Sequence, residues 1–198
     1  LCALGTGLVG CMSIPEVPPR EYYVLDELAP AGAANPGAAA GRVLLVNPSS
    51  ASPFYDTQSL VFSRAPGQRA YYQFAGWTER PGRTLSELLA RRLEAGGGFR
   101  AVAATTAGVK GEVVLHIRLE EFYHDVTGNP GSVRIEVTAV LVDPAERELI
   151  ARRRFVQSAP AAGENAQAAV AAFSRATTVL LDEMSSWIER AAAKPAAR

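Results

Sequence analysis

Cysteine is nearly absent from this 198-residue chain, and its two copies, Cys2 and Cys11, both fall at the very beginning. Everything after Cys11 therefore has no internal disulfide, thiolate nucleophile or cysteine-ligated metal. Histidine is equally scarce, with only His116 and His124, which leaves little material for a metal centre or a general base. Net charge is missing too: 20 basic side chains balance 20 acidic ones. Nucleic-acid binding draws most of its affinity from phosphate neutralisation, so a chain without a basic excess is not expected to bind it. No apolar run approaches the roughly 20 residues that a spanning helix needs. Gly-x-Ser-x-Gly, Walker-type and Gly-x-Gly-x-x-Gly motifs are absent as well, so no catalytic residue, metal or cofactor is expected.

The start of the chain carries a short, uncharged, apolar run leading into Leu8-Val9-Gly10-Cys11. This quartet resembles the lipobox of bacterial lipoproteins, in which small residues enter a peptidase cleft and the following cysteine thiol carries diacylglycerol. Residues 1–10 are thus expected to be the remainder of a secretory signal, cleaved between Gly10 and Cys11, with Cys11 lipidated. Met12 stands where an aspartate would retain a lipoprotein in the inner membrane, so the resemblance implies the outer membrane. Pro15, Pro18 and Pro19 make residues 11–21 an extended tether.

The body, residues 22–193, reads as a single domain, and 194–198 as a frayed tail. Strands are predicted at 22–26, 42–47, 60–64 and 70–75, each rich in β-branched or aromatic residues, with a low-complexity Ala/Gly/Pro loop at 29–41. Thr84 and Glu87 form a capping box, and Leu85, Leu88, Leu89 and Leu93 give the following helix one apolar face that ends at Gly96-Gly97-Gly98. Three long strands follow as a meander. The first alternates Val113, Leu115, Ile117 and Leu119 against polar neighbours, the second covers Val133 to Leu141, and the third returns over 148–156. From residue 164, Ala166, Val170, Phe173, Thr177, Leu180, Met184 and Trp187 recur at helical spacing, predicting a long helix that docks on the sheet. The fold class expected is α+β: a mainly antiparallel sheet covered by a central helix and a long C-terminal helix.

His124 and Asp125 could be written down with Glu120 and Glu121 as a ligand cluster, but strand alternation sends neighbours to opposite faces, so surface charge is the preferred reading. Arg152-Arg153-Arg154 reads as a solvated edge strand. Aromatics are the most distinctive material. Tyr55, Tyr72 and Trp77 either fill the core or line an apolar groove for a lipid or a protein segment.

Taken together, the lipobox, Tyr22-Tyr23-Val24-Leu25-Asp26, Tyr55-Asp56 ahead of Leu60-Val61-Phe62-Ser63-Arg64, Tyr71-Tyr72, Trp77, Pro81 and the leucines of the central helix resemble the ABC-type transport auxiliary lipoproteins. The resemblance implies a non-enzymatic periplasmic domain tethered to the outer membrane. It implies as partners an MCE-domain protein and an ABC permease and ATPase, which together move lipid between membranes. The competing expectation is a scaffolding or assembly lipoprotein of an outer-membrane protein complex.

Overall fold

The computed structural model describes residues 18–28 and 41–193. Gly10, Cys11, most of the expected tether, nearly all of the Ala/Gly/Pro loop and the tail lie outside the described residues.

In chain order the elements are β1 (Glu21–Tyr23), β2 (Val43–Val46), β3 (Ser50–Ala51), β4 (Ser59–Ser63), β5 (Ala70–Trp77), α1 (Pro81–Ala95), β6 (Ala101–Ala104), β7 (Val113–Asp125), β8 (Ser132–Asp143), β9 (Glu148–Pro160) and α2 (Ala166–Ala192). A single sheet joins all the strands, and β7 is its hub. One side of β7 pairs antiparallel with β8 over nearly its whole length, and the other side pairs in turn with β2, β3 and β4, all parallel. β1 on β5 and β6 on β2 are parallel as well, whereas β4–β5 and β8–β9 are antiparallel. The sheet is therefore mixed, which corrects the expectation of a mainly antiparallel one. The reason lies in β2, where Val43-Leu44-Leu45-Val46 are all buried. An unbroken apolar run suits a central parallel strand covered on both faces, and alternation was never present there to suggest otherwise.

The β7–β8–β9 meander and both helices form where the residue patterns place them. α2 opens on Asn165, whose Oδ1 accepts from Ala168 N at 2.8 Å, relieving one orphan amide. α1 opens earlier than its capping box suggests, with Pro81 at the first helical position. Proline has its φ preset there and its missing N–H has no partner to lose. Thr84, interior to the first turn, turns its hydroxyl back on Arg80 O at 3.4 Å.

Both helices cover the same face of the sheet. Gly82 of α1 sits over Leu119 of β7, and Phe173 of α2 stacks on Phe122 of the same strand at 4.2 Å. Leu115, Leu119, Ile135, Leu141, Leu89 and Leu180 are fully buried between these layers, each worth about 1.5–3 kcal/mol of apolar transfer.

Within β7 the pairing register with β8 skips Glu120. An extra residue of this kind reverses the alternation beyond it. Val113, Leu115, Ile117 and Leu119 face the helices; past the bulge, Phe122 and His124 do so instead, and Glu121 and Tyr123 turn to the helix-free face.

Candidate functional site

The three aromatics singled out in the sequence do not meet in one groove. Trp77, at the end of β5, is 1% exposed and sets its edge against Phe122 at 5.7 Å and Phe173 at 5.5 Å. It is a core residue.

Tyr55 and Tyr72 serve two other clusters, both shaped by the bulge in β7. On the helix-free face an ion-pair ladder crosses the strands. Arg69 Nη2 meets Glu121 Oε1 at 3.4 Å, Arg134 Nε meets Glu121 Oε2 at 2.5 Å, Arg134 Nη2 meets Glu136 Oε2 at 3.0 Å, and Arg154 Nε meets Glu136 Oε1 at 2.6 Å. Arg69 Nε also donates to Tyr55 Oη at 3.0 Å, and its guanidinium lies 3.6 Å from the Tyr123 ring centre. Burial pushes the Tyr55 hydroxyl pKa up against the opposing pull of Arg69. The hydrogen bond from Arg154 holds the Glu136 carboxyl below its usual range, with Arg134 adding to it and burial opposing. Glu136 is only 7% exposed; losing either arginine would leave a nearly buried carboxylate short of a partner.

The second cluster overturns the expectation of a surface His124. Its ring is fully buried, because the bulge at Glu120 brings it to the helix side. Tyr72 Oη lies 2.8 Å from His124 Nδ1 and 2.8 Å from Glu164 O. A hydroxyl has one proton, and the carbonyl can only accept, so Tyr72 donates to Glu164 O and receives the Nδ1 proton of a neutral His124. Nε2 is then an acceptor, and it has no hydrogen-bond partner among the described residues. Burial drives the Tyr72 hydroxyl up to about 12. Burial also lowers the His124 pKa from its usual 6.5, although Asp125 and Glu164 push the other way. Asp125 is elsewhere engaged: its Oδ1 accepts from Thr127 N at 2.9 Å and Thr127 Oγ1 at 2.6 Å. Among the described residues no group of three or more His, Cys, Asp or Glu side chains could hold a metal ion.

The sign of the histidine shift makes a prediction. A base whose folded pKa is depressed contributes stability that is complete above its unfolded value, near 6.5, and is lost as pH falls from there through the folded pKa. Urea unfolding midpoints of the natural chain should therefore drop between about pH 7.5 and pH 5.5, and the drop should be smaller in His124→Gln. Equal drops in the two proteins would show that His124 does not control this window.

A groove of about 900 Å³ went unrecognised in the sequence. It lies between the chain leaving β2, with Asn47, Pro48 and Ser49, and the first turns of α1, with Arg80, Gly82, Arg83 and Ser86. A Cβ added at Gly82 would come 3.0 Å from Ser49 Oγ and 3.7 Å from a Leu119 methyl, so Ser49 would have to shift. The pairing of Asn-Pro after one strand with Pro-Gly at a helix start was the available signal. Its cations are engaged: Arg80 pairs with Asp56 at 3.3 Å, and Arg83 with Glu79 at 3.0 Å and Glu87 at 2.9 Å. Mixed lining and paired charges suit small polar contacts better than an acyl chain.

The polar side chains of both clusters and of the groove are buried or paired, and both helices lie on one face of the sheet. Among the described residues no helix is long and apolar enough to cross a membrane. The sequence profile of the ABC-type transport auxiliary lipoprotein component matches residues 23–185, and the chain belongs to that family. The crystal structure of a Xanthomonas campestris protein of family DUF330 has the same fold, with a TM-score of 0.77 at 25% identity, over 86% of this chain and 95% of that one. An uncharacterised protein of known structure is similar at a TM-score of 0.65 and 16% identity, over 87% and 98% of the two chains. A hypothetical protein of Chlamydia trachomatis is similar at 0.53 and 12%, over 76% and 96%. These last two likenesses concern the fold alone. No curated protein matches the chain by sequence.

Proposed function

We propose that the chain is a periplasmic lipoprotein, anchored in the outer membrane through a lipid on Cys11, that acts as the auxiliary component of an MCE-type ABC transporter moving lipid between membranes. The observation that carries this reading is the family match over residues 23–185. The lipobox 8–11 supports the anchor, and Met12 supports the outer membrane. In this reading the domain binds partners and does no chemistry, and several acyl chains would hold it firmly, since each buried methylene adds about 0.8 kcal/mol.

Two measurements test it. Cys11→Ser should move the protein from the membrane fraction to the soluble periplasm while leaving the thermal midpoint of the domain unchanged; persistence in the outer membrane would remove the lipid anchor. Purification of the natural lipoprotein from envelopes should recover the MCE protein, permease and ATPase. Recovery of an outer-membrane barrel without any of these would favour a scaffolding role instead.

A further inference from the structure

We propose that the outer edge of β9 is a docking site for an extended acidic segment of a partner protein, which adds a strand to the sheet. The inference does not depend on which machine the lipoprotein serves.

Exposed sheet edges invite strand pairing, and proteins usually blunt them by keeping edge strands short. Two edges of this sheet follow that rule: β1 has 3 residues and β6 has 4. β9 does not. It has 13 residues and pairs with β8 from Glu148, opposite Asp143, to Pro160, opposite Ser132. Among the described residues no strand pairs with its other side. In an antiparallel ladder alternate residues turn both N–H and C=O away from the partner, so this edge presents a long row of backbone groups to an incoming strand.

Charge decides what can occupy it. Arg152, Arg153 and Arg154 are all exposed at the middle of β9. Arg154 is matched by Glu136 at 2.6 Å, and the Arg153 guanidinium lies over the Phe155 ring at 4.7 Å. Among the described residues neither Arg152 nor Arg153 makes an ion pair. Leu149 and Val156, 62% and 41% exposed, flank the basic centre with apolar surface. A second copy pairing β9 antiparallel with β9 about its centre would set arginine against arginine, and like charges directly across a ladder are destabilising. Because alternation places Arg152 and Arg153 on opposite faces of the strand, a flat anionic membrane cannot meet both. A strand carrying acids at alternate and adjacent positions meets both while using the backbone row.

The test uses the full chain and a fluorescent synthetic peptide of about ten residues, with adjacent Glu pairs at its centre, so that acids lie on both faces of the strand, and Val and Thr elsewhere. Saturable binding is expected, with amide exchange slowed at alternate residues between 148 and 160. The double variant Arg152→Glu/Arg153→Glu should weaken binding by at least about tenfold, and Arg152→Gln/Arg153→Gln by less. Circular dichroism and thermal midpoints establish that both variants are folded. A peptide with Lys in place of Glu should bind more weakly to the natural chain. The proposal is overturned by an absence of saturable peptide binding, by slowed exchange confined to other elements, by affinity indifferent to the charge reversal in folded protein, or by binding to anionic phospholipid vesicles in place of the peptide.

Discussion

Trp77→Ala is expected to lower the unfolding free energy by about 3–5 kcal/mol, the range for removing a large buried aromatic from a core. The indole is 1% exposed and closes a three-ring cluster that ties β5 to β7 through Phe122 and to α2 through Phe173. Each edge-to-face contact adds about 0.5–1.5 kcal/mol beyond its area. Urea denaturation followed by far-ultraviolet circular dichroism measures the loss, and Trp77→Phe should retain much of the stability. A loss below about 1 kcal/mol would contradict an interior Trp77. It would fit a surface groove residue, whose removal affects ligand binding and leaves folding nearly untouched.

Arg92→Met should be comparably damaging for an electrostatic reason. Arg92 projects from α1 with a side chain only 2% exposed, pairing with Glu27 and with Asp182 of α2. Its partners differ in what they can do once abandoned. Asp182, 60% exposed, can turn to water, whereas Glu27 is 9% exposed and would keep an uncompensated charge. Removing one partner from a buried pair costs about 3–5 kcal/mol. Adding Glu27→Gln to Arg92→Met should recover part of that loss, and the difference measures the coupling. The same change should loosen the leading segment, which Leu25 and the bond from Leu28 N to Thr178 Oγ1 at 2.9 Å also hold. Limited proteolysis near residues 24–28 reports this directly. A variant that resists cleavage and unfolds within about 1 kcal/mol of the natural chain would rule out a stabilising role for the Arg92 pairs.

What could be read from the sequence, and what could not, divides along physical lines. α2 was legible because its stripe repeats over about six turns, and the β8–β9 hairpin because alternation and turn residues agree. β6 was missed: Ala101-Val102-Ala103-Ala104 has a single β-branched residue, and its pairing with β2 is fixed by distant residues. Parallel pairing escaped for the same reason, since β2, β3 and β4 find β7 across long stretches of chain that no local pattern records. His124 was read as surface charge, and the structure buries it because one unpaired residue, Glu120, changes the phase of the strand ahead of it. Of the three aromatics proposed for a groove, Trp77 lies in the core, and Tyr55 and Tyr72 sit on opposite faces of the sheet. The groove beside α1 escaped because its lining comes from small and polar residues of separate segments.

Among sequences that have drifted as far apart as 12% identity with this fold retained, substitutions are the changes most easily counted, yet length is the more powerful variable on β7. Glu120 makes no backbone pair with β8, and its carboxylate only meets Arg118 of the same strand, at 3.1 Å. Its presence alone assigns Phe122 and His124 to the dry side and Glu121 and Tyr123 to the wet one. A relative lacking that one residue would need four compensating replacements to keep the same interior and the same charged surface. Aligning such relatives by residue type through this strand, with no allowance for the extra position, would equate side chains that live on opposite sides of the sheet.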